Sequence, residues 1–190
     1  MKMMNLRSLI LLVALFLFCG AVASGERPGN WAQPVISAKL GNFFKVSDDV
    51  FRSGQPEKND IPDLKSLKIR TLLNLREYHS DDAIFEQSGF QLIRYKMDAG
   101  NLSVSDLITV LKLLRKAEKP VLVHCWHGSD RTGFIIAGYR IVFQNWTKEA
   151  AIEELRQGGF GYHAITYPNI TKVLQGIDVD AVKKAVLDEK

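Results

Sequence analysis

The sequence predicts an α/β fold, with a central, mostly parallel sheet of about four to five strands flanked by helices. Short apolar runs at 69–75, 90–97 and 121–125 alternate with segments whose apolar residues recur at helical spacing. Strands that alternate with helices in this way usually pair in parallel, with helices packed on both faces of the sheet. The chain has 190 residues, which is enough for one domain with a substantial core.

The first half of the chain contains strands that alternate with short helices. Residues 50–52 are expected to form a short strand. Asn59 or Asp60 is expected to cap a helix that runs through about Leu67, with Pro62 in its first turn. The segments that follow are predicted to be a strand at 69–75, a helix at 81–88 and a strand at 90–97.

The second half contains longer helices around one buried strand. A helix that begins at Ser103 or Ser105 is predicted, because the apolar residues that follow recur three and four positions apart. Thr147 is expected to cap a helix at 148–157, which ends at Gly158. The other predicted elements are the buried strand at 121–125, a helix at 131–145 and two short helices from about Pro168 and Asp178.

The N-terminus has the pattern of a secretory signal peptide. Lys2 and Arg7 precede an almost wholly apolar run at 9–18, and small residues at 21–23 resemble an A-x-A cleavage site. The apolar run is short for a transmembrane helix. We therefore expect cleavage after Ala23, with an uncleaved anchor as the alternative, and export to the periplasm or, failing that, secretion.

Charge and cysteine content narrow the function further. The formal net charge of +4 includes Lys2 and Arg7, which cleavage would remove, so the sequence gives no electrostatic case for binding nucleic acid.

Of the two cysteines, Cys19 lies in the segment that cleavage would remove, and only Cys125 would remain. Exported proteins usually carry cysteines in disulfide pairs. A single cysteine therefore indicates a thiol that is kept for chemistry.

The most informative motif is H-C-x-x-G-x-x-R-T-G at residues 124–133, between a predicted strand and a predicted helix. A loop of this length, followed by a helix N-terminus, can direct its backbone N–H groups at an anion. Gly128 permits close backbone approach, and the planar fork of Arg131 suits two phosphate oxygens. The same positive surroundings favour the thiolate of Cys125, which becomes a positioned nucleophile.

This segment resembles the signature loop of the cysteine-dependent protein tyrosine phosphatases. Its position about two-thirds along the chain is similar to that in the dual-specificity branch, and residues 50–56 and 67–76 are similar to the N-terminal half of atypical bacterial and fungal dual-specificity phosphatases. The resemblance therefore implies a dual-specificity phosphatase fold. The expected organisation is a signal peptide at 1–23, an extended leader at 24–42 and a phosphatase domain at 43–190.

The resemblance also implies a two-step reaction. Cys125 attacks phosphorus to give a phosphocysteine, which water then hydrolyses, and the hydroxyl of Thr132 donates to the sulfur as it leaves. The loop and Arg131 neutralise the developing charge, so no metal or cofactor is required. The expected substrate-binding residues are those of the loop itself: Trp126, His127, Gly128, Ser129, Asp130 and Arg131.

Three aspartates are candidates for the general acid that protonates the leaving oxygen. Related enzymes use an aspartate upstream of the signature loop, and Asp98, which follows a predicted strand, is the first choice. Asp106 is the second, although a place in the first turn of a helix would engage it with the helix dipole. Asp130 lies inside the loop. We expect it to point outward, because an inward acid would oppose thiolate formation and dianion binding.

The variable loop positions contain no lysine or arginine, which favours a substrate with one phosphate: phosphotyrosine, phosphoserine, phosphothreonine or a small phosphomonoester. Three alternatives remain. An inositol phosphate phosphatase would need basic residues from elsewhere, such as Arg94, Lys96 or Arg140. A non-catalytic phosphate-binding module would not need Cys125, and a sulfurtransferase would carry a persulfide on it. The expected partner is thus a phosphorylated protein or small phosphomonoester, without nucleic acid or stable membrane association after cleavage.

Overall fold

The computed structural model describes residues 26–37 and 39–188, and within them six strands form one mixed sheet. The strand order is β1-β2-β3-β6-β4-β5. Strands β3, β6, β4 and β5 are parallel to one another, and the β1–β2 and β2–β3 pairs at one edge are antiparallel. The predicted α/β class is confirmed. The strands are β1 (Gln33–Pro34), β2 (Phe44–Lys45), β3 (Val50–Ser53), β4 (Thr71–Arg76), β5 (Gln91–Met97) and β6 (Val121–His124).

Seven α-helices connect and follow these strands in the described part of the chain. They are α1 (Ile61–Ser66), α2 (Asp82–Phe85), α3 (Val104–Lys116), α4 (Asp130–Phe143), α5 (Lys148–Gln157), α6 (Asn169–Gly176) and α7 (Val179–Leu187). Short 3-10 turns at Lys58–Asp60 and Ala99–Asn101 precede α1 and α3. Among the described residues, no helix combines the length and the apolar character that crossing a membrane requires.

Alternate residues of the central strands enter two separate cores, one on each face of the sheet. Val121 and Val123 of β6 pack in the larger core, whereas Leu122 packs in the smaller one. This alternation follows from the two-residue period of a strand. Residues of α3 to α7 contribute to the larger core, and Leu64 of α1 and Phe85 of α2 contribute to the smaller. Helices therefore cover both faces, as predicted.

The segment expected to be an extended leader packs against the domain where it is described. Its strand β1 pairs with β2 at the edge of the sheet, which gives the sheet more strands than predicted. Ala32 is fully buried, and its N–H donates to Glu154 Oε1 over 2.6 Å. Arg27 Nη1 donates to the carbonyl oxygen of Gly158 over 2.8 Å. The expected signal peptide at 1–23 lies outside the described residues.

One predicted helix is shortened in the structure, and another has the predicted bounds. Helix α2 is shorter than the predicted helix at 81–88, and the difference lies at its C-terminal end. After Phe85 the N–H of Ser88 donates to the Phe85 carbonyl oxygen over 2.9 Å, which is the tighter i to i+3 pattern, and Gly89 then has a φ of +82°. Helix α5 covers 148–157 as predicted, since Thr147 accepts a hydrogen bond from the backbone N–H of Ala150.

Candidate active site

The signature loop lies at the carboxyl end of β6, where open α/β sheets bind their ligands. Strand β6 ends at His124, and α4 begins at Asp130. Cys125 lies between them with 2% of its surface exposed, and it is a free thiol. Strands β3 and β4 flank β6 on either side, so residues at their carboxyl ends surround the loop.

Gly128 is required by the way this loop packs on the end of β3. Its φ is +74°, a left-handed conformation that side chains disfavour. A Cβ atom at this position would lie 2.4 Å from the carbonyl oxygen of Ser53. Only glycine therefore satisfies both the backbone conformation and the contact.

Three hydrogen bonds to carbonyl groups fix the shape of the loop. Arg52 Nη2 donates to the carbonyl oxygen of Gly128 over 2.6 Å. Asn42 Nδ2 donates to that of His127 over 2.8 Å, and the N–H of Gln55 donates to that of Trp126 over 2.8 Å. In a trans peptide the N–H points opposite to the carbonyl group, so outward carbonyl groups at 126–128 direct the N–H groups of the following residues inward, where they can meet an anion.

Two adjacent residues present polar atoms that no described residue satisfies. Arg131 Nε and Thr132 Oγ1 are both buried without a hydrogen-bond partner among the described residues, although Arg131 Nη1 donates weakly to the Met97 carbonyl oxygen over 3.4 Å. Buried polar groups without a partner are uncommon and costly. A phosphate held in the loop supplies acceptors of the kind that both groups lack.

A pocket of about 210 Å³ brings predicted residues from distant parts of the sequence together. Asp98, Trp126 and Arg131 all line it. Asp98 is exposed, and its Oδ1 accepts a hydrogen bond from the N–H of Gly100 over 2.9 Å. The carboxyl group is thus held near the anion site and remains accessible to solvent. The other lining residues are Arg76, Glu77, Tyr78, Ala99 and Tyr167.

The two other candidate acids are engaged outside this pocket. Asp106 closes a capping box with Ser103 at the start of α3 and accepts a hydrogen bond from the hydroxyl of Tyr95 over 2.8 Å. Asp130 is buried, and its carboxylate binds the N–H of His163 over 3.0 Å and His163 Nδ1 over 2.9 Å. The geometry therefore favours Asp98.

The side chains of the loop divide into two groups. Trp126, 58% exposed, faces the pocket together with Arg131. Ser129 is buried and donates to the carbonyl oxygen of Phe160 over 2.6 Å, which ties the loop to the segment after α5. His127 is exposed and does not line the pocket, and its ring centre lies 5.7 Å from that of His163.

The sequence did not identify Arg76, Tyr78 and Tyr167 as pocket residues. Arg76 lies with its guanidinium carbon 4.3 Å from the centre of the Trp126 ring. Burial, and then the positive charge of Arg131, lower the pKa of Arg76 from its ordinary value. Arg76 is the last residue of β4, which pairs with β6, so a known strand order would have placed it beside the signature loop. No sequence signal identifies Tyr167.

Comparisons with known proteins agree with this site. Residues 38–170 match the model of the tyrosine phosphatase family. The dual specificity protein phosphatase TpbA of Pseudomonas aeruginosa is 32% identical over 168 residues, which cover 87% of this chain and 75% of that protein. The inositol diphosphatase DSP2 of Oryza sativa subsp. japonica is 33% identical over 144 residues, which cover 71% of this chain and 69% of that protein.

A crystal structure of P. aeruginosa TpbA, with a cysteine replaced by serine and in complex with phosphotyrosine, has a similar fold. The TM-score is 0.78 at 31% identity, and the match covers 86% of this chain and 100% of that one. The family match spans most of the chain and includes the whole signature loop. The chain therefore belongs to the tyrosine phosphatase family and is a cysteine-dependent phosphatase of the dual-specificity type.

Proposed function

We propose that this phosphatase acts on phosphotyrosine in proteins outside the cytoplasm, with phosphoserine and phosphothreonine as slower substrates. The observation that carries the proposal is that Asp98 and Arg131 line one pocket with three aromatic side chains, those of Tyr78, Trp126 and Tyr167. A phenyl ring bound between such walls buries apolar surface. The relative TpbA, solved in complex with phosphotyrosine, supports this choice of substrate.

In the first step, the thiolate of Cys125 attacks phosphorus in line with the leaving oxygen. The S–P bond forms as the P–O bond breaks, and the electron pair of the broken bond stays on the phenolic oxygen. Asp98 donates its proton to that oxygen, which gives neutral tyrosine. Arg131 and the N–H groups of the loop stabilise the charge on the phosphoryl oxygens.

In the second step, water attacks the phosphocysteine. Asp98, now a carboxylate, accepts a proton from the water, and the S–P bond breaks to release inorganic phosphate and the thiolate. The buried hydroxyl of Thr132, which lacks a partner in the described structure, donates a hydrogen bond to the leaving sulfur. The same groups thus act in both steps, with Asp98 first an acid and then a base.

An inositol phosphate is the second candidate substrate, because one observation favours it. Arg76 adds a cation to the pocket beside Arg131, and the rice relative is an inositol diphosphatase. The basic residues expected for this alternative are not in the pocket lining. Arg140 is buried against Glu154, and Arg94 Nη2 donates to the carbonyl oxygen of Glu77.

Kinetics in the presence of EDTA would separate the two candidates. We expect the kcat/KM for a phosphotyrosine peptide to exceed that for a phosphoserine peptide and for an inositol pyrophosphate. Arg76→Gln should lower activity on the inositol pyrophosphate more than on the phosphotyrosine peptide, because only the former has a second charged group to bind there. A higher kcat/KM for the inositol pyrophosphate would overturn the choice of phosphotyrosine.

Export rests on the sequence of the first 23 residues, with its basic start, apolar run and small residues before Ser24. N-terminal sequencing of the protein from a cell envelope fraction tests it. We expect the mature chain to start at Ser24 and to reside in the periplasmic fraction. An intact N-terminus in the cytoplasmic fraction would overturn the proposed location without affecting the proposed substrate.

A further inference from the structure

We propose that His127, Asp130 and His163 bind a divalent transition-metal ion at the rim of the signature loop. Each residue offers one ligand atom, and these atoms all lie within 4.8 Å of one another. Two imidazoles and one carboxylate suit Zn²⁺, Cu²⁺ or Ni²⁺ better than Mg²⁺, which prefers oxygen ligands. Three protein ligands leave a fourth position for water.

The fold brings these three residues together from two separate segments. His127 and Asp130 belong to the signature loop and the first turn of α4, whereas His163 follows α5. The chain returns to the loop through Gly159 and Gly161, each with a φ of +71°. These left-handed conformations suit glycine, and they direct His163 at Asp130.

The Asp130–His163 half of the site is already formed. Asp130 is 6% exposed, and its two carboxylate oxygens bind the backbone N–H and Nδ1 of His163 over 3.0 and 2.9 Å. Ser129 Oγ holds the same segment through the carbonyl oxygen of Phe160. A metal ion that replaces the proton between the carboxylate and the imidazole therefore meets two ligands that are held in place.

His127 supplies the adjustable third ligand. Its imidazole is exposed, and its ring centre lies 5.7 Å from that of His163. Ligands at about 2.0–2.1 Å from a tetrahedral Zn²⁺ lie closer together than 4.8 Å, so binding requires His127 to move inward. An exposed side chain changes rotamer at little cost. The ion would then link the signature loop to the segment at 158–163.

The side chains of this site lie outside the pocket in which we propose phosphoryl transfer. Neither histidine lines the pocket that contains Asp98 and Arg131, and no step of the proposed reaction passes through the ion. Because the ion would bind only when the loop and the segment at 158–163 are folded together, occupancy should stabilise the native state. The expected signs of the site are thus a binding isotherm and a rise in Tm, both independent of turnover.

Calorimetric titration of ZnCl₂ into the untagged protein tests the proposal. The protein should carry Cys125→Ser, because a thiolate also binds zinc. We expect one Zn²⁺ per chain, no heat of binding with MgCl₂, and a higher Tm with zinc. His127→Asn and His163→Ala should each weaken zinc binding at least tenfold, because each removes a nitrogen ligand. His79→Gln, which removes a histidine outside the cluster, should leave zinc binding unchanged.

Absence of zinc binding in the Cys125→Ser protein would overturn the proposal, and so would binding that survives both substitutions in the cluster. His163→Ala also removes a contact to the buried Asp130 carboxylate, so its Tm without zinc must be compared with that of the parent. Should that variant unfold, His127→Asn decides alone, since His127 is exposed and its replacement disturbs no buried contact.

Discussion

His124 Nε2 lies 2.7 Å from the Asp81 carboxylate, and both side chains are buried directly behind the nucleophile's loop. The second carboxylate oxygen of Asp81 accepts a hydrogen bond from Gln55 Nε2 over 3.0 Å, and Gln55 Oε1 accepts one from Arg76 Nη1 over 2.9 Å. A continuous set of polar contacts thus links the residue before Cys125 to the wall of the pocket. Changes at Asp81 should therefore affect both stability and the site.

Asp81→Asn should lower the free energy of unfolding at neutral pH. The difference from the parent protein should become smaller at acid pH. Burial alone would raise the pKa of Asp81, but the hydrogen bond and charge of His124 and the bond from Gln55 hold it below its ordinary value of 3.8. A carboxyl group with a lowered folded-state pKa stabilises the fold above its unfolded pKa, and this contribution is lost as pH falls through the folded value. We expect a loss of about 1.5–3 kcal/mol at pH 7.

Urea unfolding of both proteins between pH 3 and 7 provides the measurement. The difference in unfolding free energy should be constant above about pH 5 and should shrink as the pH falls below the ordinary pKa of aspartate. Asp82→Asn, next to it on the exposed surface, serves as the matched control and should show little difference at any pH. A gap that widens in acid would contradict the role given to Asp81.

Cys125 and Thr132 should affect different steps of the same reaction. Cys125→Ser removes the nucleophile, and we expect no measurable hydrolysis of p-nitrophenyl phosphate with EDTA present. Thr132→Val keeps the shape of the side chain but removes the hydroxyl that aids the departing sulfur. We expect this variant to form phosphocysteine at nearly the original rate and to hydrolyse it slowly.

Rapid-quench kinetics distinguish the two steps. Thr132→Val should release one equivalent of p-nitrophenol in a burst, followed by slow turnover, and mass spectrometry of the quenched protein should detect phosphate on Cys125. Since Thr132 is buried without a partner, loss of its hydroxyl leaves no unsatisfied contact among the described residues. Slow turnover without a burst would mean that Thr132 acts on the first step instead.

Asp98→Asn should reduce activity most on substrates whose leaving oxygen must be protonated. We compare kcat/KM, which reports the step in which the leaving group departs, and for a phosphotyrosine peptide we expect it to fall about 10²–10⁴-fold, the range typical of a lost general acid. For p-nitrophenyl phosphate the fall should be much smaller, because p-nitrophenolate departs without protonation. Asp106→Asn, the matched control, should keep its activity and lose about 0.5–2 kcal/mol of stability, since the Asp106 carboxylate completes the capping box with Ser103 at the start of α3.

Equal losses of kcat/KM on both substrates in Asp98→Asn would contradict its role as the acid for the leaving oxygen. A loss on the peptide in Asp106→Asn, without one in Asp98→Asn, would reassign the acid.

Short-range signals explain why much of the fold was predictable from the sequence. The apolar spacing along α3 and the caps at Ser103 and Thr147 are local features, and the helices begin where those features place them. The signature loop is also local, because Cys125 and Arg131 are close in the chain. Its position between a strand and a helix follows from the flanking apolar runs.

Long-range contacts explain what the sequence left open. Asp98 and Arg131 meet only because β5 and β6 end at the same edge of the sheet, and strand order is not written in any one segment. Asp81 binds His124, 43 positions further along the chain, and no local pattern around either residue indicates that contact. The packing of Ala32 on Glu154 likewise depends on α5, far from the leader in sequence. Each of these contacts joins residues that are far apart in the sequence, so no local pattern predicts it.

Gly128→Ala should damage the loop more than an ordinary glycine substitution. The residue combines a φ of +74° with a Cβ position only 2.4 Å from the carbonyl oxygen of Ser53. Gly89 is a matched control, because it has a φ of +82° and open space around its Cβ position. We expect Gly89→Ala to cost about 1–2 kcal/mol from backbone strain alone.

Gly128→Ala should cost more and should also abolish activity, since the backbone of the loop or of β3 must shift. Urea unfolding and p-nitrophenyl phosphate hydrolysis check both outcomes. Equal stability losses at the two positions, with activity kept in both, would show that the loop tolerates the contact.

Glu154→Gln should be strongly destabilising, because Glu154 is the acceptor at a buried junction between three segments. Its carboxylate accepts hydrogen bonds from Arg140 Nε and Nη2 over 2.8 and 2.7 Å and from the N–H of Ala32 over 2.6 Å, and both partners of the ion pair are 2% exposed. Loss of one partner leaves the other charge buried and uncompensated, which costs about 3–5 kcal/mol. Glu118→Gln provides the contrast, since the pair of Glu118 with Arg70 is exposed and should contribute less than about 1 kcal/mol. The loss of unfolding free energy, measured by thermal and urea unfolding, should therefore be several times larger for Glu154→Gln than for Glu118→Gln. Similar small losses in both variants would show that water solvates the Arg140 guanidinium once the Glu154 charge is gone.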